Sequence, residues 1–208
     1  MIDLIKILKE KILIMDGAMG TMIQSFDLKE SDFRGQRFIN HSIDQFGNND
    51  ILNITKAEII HEIHQSYIEA GANIIGTNTF SSNSISQADY KMEDHIYEIN
   101  FSAAEIAKSA VNKYGDSNTF VAGALGPTNR TASLSPDINK PSYRNISFDS
   151  LKDAYYEQAL GLSDGGVDIF LIETVFDTIN CKAAIYAVRE LNEKRKLKIP
   201  IIISGTIT

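Results

Sequence analysis

Glu69-Ala70-Gly71-Ala72-Asn73-Ile74-Ile75 and Ser163-Asp164-Gly165-Gly166-Val167-Asp168-Ile169-Phe170 follow one plan. Each ends a helix, stops it at glycine and enters a buried apolar strand. The same grammar extends outward in both directions. An apolar run, Lys11 to Met15, predicts a first strand after a short helix over Ile2 to Lys9. Strands are expected at Ile74 to Thr79, Phe120 to Leu125, Asp168 to Glu173 and Ile199 to Ser204. Helices are expected from Thr55 (as N-cap) to Gly71, over a long stretch ending near Lys113, from Asp149 or Ser150 to Gly165, and over Thr178 to Lys194. Strands alternating with helices of this length indicate parallel βαβ units. Repetition of the unit, with no Gly-x-Gly-x-x-Gly turn after the first strand, favours a TIM-type (β/α)8 barrel; a doubly wound α/β sheet is the alternative. A complete barrel needs eight strands in roughly 250 residues. About five are legible here, and the sequence stops at Ser204-Gly205-Thr206-Ile207-Thr208, where a strand should hand over to its loop. Residues 1–208 are therefore expected to be the N-terminal part of a barrel domain, cut within or just after the fifth strand.

Composition narrows the function. The chain is 43% hydrophobic and 23% charged, an ordinary globular balance, with a net charge of -7 that argues against nucleic acid or an anionic membrane as partner. Charges at Lys6, Lys9, Glu10 and Lys11 interrupt the apolar N-terminus, which therefore reads as neither a signal peptide nor a membrane span, and a cytoplasmic protein is expected. The single cysteine, Cys181, excludes an internal disulfide framework and a cysteine-rich zinc site.

Barrel chemistry sits at the C-terminal ends of strands. Four ends are polar: Asp16-Gly17, Thr77-Asn78-Thr79, Gly126-Pro127-Thr128-Asn129 and Glu173-Thr174. Asp16 and Glu173 each follow apolar strand residues, and a carboxylate at the rim of a core is costly unless a cation or donors answer it. Together they suit an α-ammonium group, with the amides of Gly17 and Ala18 available to an α-carboxylate. Capping of the next helix, or pairing with an Arg, stands beside that reading. His61 and His64 lack the spacing of a zinc motif and read as satisfied helix-surface histidines. Cys181 reads as a buried helical thiol, and no Lys falls at a strand end, which disfavours Schiff-base chemistry. The polar stretch Ser25 to Asp50, long for a connection, is expected to be a functional loop.

Four motifs in order, Ile14–Thr21, Ala72–Phe80, Gly126–Thr131 and Leu171–Thr178, resemble the homocysteine-binding module of cobalamin-dependent methionine synthases, within the homocysteine S-methyltransferase family. The stretch Gly126 through Asn145-Ile146-Ser147-Phe148-Asp149 is similar to that branch specifically. The resemblance implies that Asp16 and Glu173 fix the substrate ammonium, that Gly17 and Ala18 lie near its carboxylate, and that Thr77 and Asn78 line the pocket. It implies zinc held by three cysteines of later strands, beyond Thr208, with cobalamin as methyl carrier, and folate- and cobalamin-binding modules as partners in the full-length protein. Residues 1–208 are then expected to hold no zinc or cobalamin and to be inactive alone. A cobalamin-independent homocysteine methyltransferase and a non-catalytic binding domain are the competing readings.

Overall fold

The computed structural model describes residues 4–207. In chain order it contains α1 (Leu4–Glu10), α2 (Met19–Gln24), α3 (Glu30–Arg34), α4 (Leu52–Thr55), α5 (Ala57–Glu69), β1 (Ile74–Gly76), α6 (Ser84–Gln87), α7 (Ile96–Tyr114), β2 (Phe120–Leu125), α8 (Phe148–Asp164), β3 (Ile169–Val175), α9 (Thr178–Arg195) and β4 (Ile201–Gly205). Ile2, the expected start of the first helix, lies outside the described residues. So does Thr208, the position beyond which the zinc cysteines are expected; the last strand, β4, ends before it at Gly205.

The four strands are parallel in the order β1-β2-β3-β4. Helices α5, α7, α8 and α9 all pack on one face, in a core that includes Ile75, Val121, Leu125, Phe170 and Ile172. The alternate strand residues, Ile74, Phe120, Ala122, Ile169 and Leu171, face the other way and close on Leu4 of α1. A doubly wound sheet reverses its strand order and carries helices on both faces. Sequential order with the four long helices α5, α7, α8 and α9 on one face, and only the short α1 on the other, is that of a partial TIM-type barrel.

Lys11 to Met15 departs from expectation. It runs parallel to β1 but joins it through a single bridge, Met15 to Ile74. The Asn73 and Ile74 N–H groups both donate to Ile14 O, at 2.7 and 3.1 Å, and Asp16 N–H donates to Ile74 O at 2.9 Å. The Gly17 turn follows at once, so no longer ladder forms, and Ile12 and Ile14 remain exposed. The sheet thus has four ladder strands plus this bridged segment.

The repeated plan has a physical cause. Asn73 Oδ1 accepts Ile14 N–H at 3.1 Å, and Asp168 Oδ2 accepts Val121 N–H at 2.8 Å. The polar residue before each strand therefore satisfies a donor of the preceding strand, which would otherwise be orphaned at the rim. Gly71 and Gly166 turn the chain out of the helix at φ of +99° and +92°, where a Cβ is disfavoured.

Two helix starts differ from expectation. Thr55 is the last residue of α4, and the cap position of α5 is Lys56. Helix α8 is capped by Ser147, whose Oγ accepts Ser150 N–H at 3.0 Å, an interaction contributing about 1 kcal/mol.

Arg34 is the centre of the Ser25 to Asp50 segment, which Arg37–Glu98 and Lys56–Asp32 pairs also tie down. The Arg34 guanidinium donates to the carbonyls of Phe38, His41 and Ile43 at 3.3, 2.6 and 3.1 Å, and pairs with Glu30 and Asp44. Glu30 in turn accepts Gln45 N–H at 2.9 and 3.0 Å. This clasp delivers Gly47, Asn49 and Asp50 to the inner end of the sheet.

Candidate active site

A cavity of about 630 Å³ opens at the C-terminal ends of the strands, and Asp16, Gly17, Ala18, Thr77, Asn78 and Glu173 all line it. Three of the four polar strand ends therefore converge. The fourth does not line it: Gly126 and Pro127 lie beside Tyr155 and Cys181 in a second, small void, which Glu173 and Thr174 also border. There Asn180 Nδ2 donates to Thr128 Oγ1 at 3.1 Å.

Period-2 alternation places Glu173 on the same face as Ile169 and Leu171. The β3–β4 register is interrupted between Ile172 and Val175, and Thr174 sits at φ +54°. A bulge of this kind re-aims the side chain at a strand end. Burial raises the Glu173 carboxyl above the ordinary range. Burial also drives Asp16 up to about 7, and the nearby Glu173 charge adds to the effect; the Gly76 N–H, donating to Asp16 Oδ2 at 2.8 Å, opposes both.

Neither acid is a helix cap: α2 starts after Ala18 without a side-chain cap, and α9 is capped by Asp177. No described cationic side chain contributes to either environment, and none of the described lining residues is Lys, Arg or His. Two desolvated carboxylates without a protein cation form a site for an external one.

Between them runs the Gly17 turn. A Cβ on Gly17 would stand 2.9 Å from Tyr67 Oη and 3.0 Å from its Cε1, so glycine allows α5 to support the turn at close range. The Tyr67 hydroxyl donates to Ala18 O at 3.3 Å. Among the described residues, the Gly17 and Ala18 N–H groups make no backbone hydrogen bond and stay available to an anionic group.

Thr77 and Asn78 line the cavity, but their donors serve the scaffold. Thr77 Oγ1 accepts Ala124 N–H at 2.9 Å and lies 2.6 Å from Thr79 Oγ1. Asn78 Nδ2 donates to Asn49 O at 2.7 Å. Sequence reasoning missed Asp50, a buried carboxylate on the same cavity. Its only sequence signal was its place at the end of the long polar loop. Burial raises it to about 6 against the opposing donors Ser82 and Ser81.

Two other expectations divide. Cys181 is a half-buried helical thiol raised by burial. His64, expected at the helix surface with its polar atoms satisfied, is fully buried with neither ring nitrogen hydrogen-bonded; burial, with a smaller contribution from His61, lowers it to about 3. His64 follows Ile60 by four residues and Ile63 by one, inside the apolar stripe that packs inward.

With this geometry in view, the homocysteine S-methyltransferase family model matches residues 13–208. The chain belongs to the homocysteine S-methyltransferase family. The fold is also that of the homocysteine methyltransferase MmuM from Escherichia coli. Its metallated form aligns with TM-score 0.68 at 20% identity, over 95% of this chain and 65% of that one. The apo form aligns with TM-score 0.62 at 19% identity, over 96% and 62%. The chain thus spans just under two thirds of the length of these methyltransferases. Among its described residues, no group of three or more His, Cys, Asp or Glu could hold a metal ion, and Cys181 points to the helix side of β3, beside Tyr155 and Pro127. These residues do not fit a thiolate zinc site. Nor is any described helix long and apolar enough to cross a membrane.

Proposed function

We propose that this chain is the homocysteine-binding part of a methionine synthase of the cobalamin-dependent kind, in which a methyl group passes to the homocysteine sulfur to give methionine. The observation that carries the reading is the pair Asp16 and Glu173, desolvated and without a protein cation, flanking the open amides of Gly17 and Ala18. The ammonium lies between the two carboxylates and the α-carboxylate lies against the turn, so the sulfur end is directed into the remaining space of the cavity. This chain's residues bind and orient the substrate. Zinc, cobalamin, and the folate- and cobalamin-binding modules belong to residues of such an enzyme beyond Thr208, and residues 1–208 alone bind without activating the thiol.

Titration calorimetry with L-homocysteine on the intact protein tests the site. Saturable binding that weakens at least tenfold in both Asp16→Asn and Glu173→Gln supports it, in line with the cost of removing one partner of a desolvated ion pair. Methyl transfer from methylcobalamin, rather than from a small cationic donor, supports the cobalamin-dependent assignment. That assignment also draws on the motif from Asn145 to Asp149.

A further inference from the structure

The cavity carries a third acid with no role in the reading above. Asp50 ends the loop organised by Arg34 and faces the segment that leaves β1. Its Oδ1 accepts Ser81 N–H at 2.9 Å and Ser82 Oγ–H at 2.5 Å, while Oδ2 accepts no hydrogen bond from another described residue. Around it the two segments are stitched together. Asn53 Nδ2 donates to Asp50 O at 2.8 Å and to Asn78 O at 2.7 Å, and Asn78 Nδ2 returns to Asn49 O at 2.7 Å. On the far side Asn100 Nδ2 donates to Ser82 O at 2.8 Å. Thr77, Asn78, Thr79, Phe80 and Ser81 form one wall of the cavity, and Asp50, lining the cavity beside them, holds the end of that wall through Ser81 and Ser82.

Resting on the homocysteine reading, we infer that Asp50 is a positioning residue for the substrate: its ionised carboxylate clamps the Ser81–Ser82 turn and so sets the Thr77–Phe80 wall against which the ligand is held. Charge-assisted bonds to a buried carboxylate are about twice as strong as neutral ones. Protonation therefore loosens the clamp without breaking the fold. Of the titratable groups near Asp50, Tyr90 feels its charge, and Asp16 and Glu173 line the same cavity. No described cation faces it.

The test compares homocysteine affinity in wild type, Asp50→Asn, Asp50→Ala and Asp16→Asn between pH 5 and 8. Asparagine keeps an oxygen acceptor for Ser81 and Ser82 but cannot titrate. At pH 8, Asp50→Ala is expected to bind about tenfold or more weakly, with Asp50→Asn between it and wild type, near the level to which wild type falls once its clamp is protonated. Below pH 6, wild-type affinity should fall with a steeper slope than that of Asp50→Asn, because only wild type protonates the clamp. Equal slopes in wild type and Asp50→Asn, or unchanged binding in Asp50→Ala, overturn the inference, and Asp50→Asn decides it alone if the alanine variant does not fold. Failure of the site reading looks different: wild type then binds no homocysteine at any pH, or Asp16→Asn binds as well as wild type, and the role of Asp50 falls with it.

Discussion

Homocysteine binding should be linked to proton release at Asp16, and the size of the linkage follows from the structure. Asp16 stands at about 7 against an ordinary value of 3.8, a rise of about three pH units, so its charged form is penalised by roughly 4 kcal/mol in the ligand-free cavity. The ligand ammonium supplies the missing counter-charge and draws the proton off. The free ammonium stays protonated throughout pH 6 to 8, so the protein carboxyl sets the profile. Affinity should be close to its maximum at pH 8, about twofold weaker at pH 7 and roughly tenfold weaker at pH 6. About half a proton should leave per ligand bound at pH 7. Calorimetry in two buffers of different ionisation enthalpy counts that proton directly. Asp16→Asn should bind weakly and lose this linkage. The ligand-free stability runs in the opposite direction. With the folded value above the unfolded one, the stability from this group is full below about pH 4 and is lost as the pH rises through 7. An affinity that is flat from pH 6 to 8, or a proton count unchanged in Asp16→Asn, refutes the reasoning.

Other consequences can be measured separately. Gly17→Ala should weaken homocysteine binding at least tenfold while moving the melting temperature by only a few degrees, because the new Cβ meets Tyr67 Oη at 2.9 Å and displaces the turn rather than the core; calorimetry and thermal melts check the two arms. His64, lowered to about 3 from 6.5, contributes stability that is full above pH 6.5 and lost as pH falls toward 3. Denaturant titrations should therefore show that His64→Leu narrows a stability gap between pH 7.5 and 5 of about 2 kcal/mol. Produced alone, residues 1–208 should self-associate through the exposed Ile12, Ile14 and Ile203 at the sheet edges; Ile14→Lys combined with Ile203→Lys should shift sedimentation toward monomer.

What the sequence disclosed and what it withheld differ in range. Helix-glycine-strand units were legible because their causes are local: Gly71 and Gly166 supply positive φ, and Asn73 and Asp168 complete the ladder of the strand before. Asp16 and Glu173 were legible because an acid directly after an apolar strand has few places to go except the rim. Asp50 was not, since its position is fixed by the Arg34 clasp and by Ser81 and Ser82, contacts that no periodicity encodes. Thr77 lines the cavity as expected, but that its hydroxyl is committed to Ala124 N–H and Thr79 depends on contacts with β2 that no local pattern encodes. His64 lies within the apolar stripe of α5 with Ile60, Ile63 and Ile68, and that spacing, against its polarity, fixes its burial. The first strand failed for want of neighbours, because apolar residues suffice for an extended segment, whereas a ladder needs register with a partner over several residues.

These features share one electrostatic cause. Asp16, Glu173 and Asp50 line a cavity with no described cationic side chain, so the folded chain holds more negative charge there than its own donors answer. Such an arrangement costs stability at neutral pH and persists only where surrounding structure enforces it. Enforcement is visible in the Gly76 N–H on Asp16, the interrupted register at Glu173 and the clamp on Asp50. A ligand bringing an ammonium relieves that excess charge, so ligand binding and folding are coupled with the same sign. Saturation at a hundred times Kd adds about 2.7 kcal/mol to stability. Selectivity arises from the same excess. An amino acid with its ammonium free discharges the pocket, whereas an amine-blocked analogue leaves both strand-end carboxylates buried and unanswered.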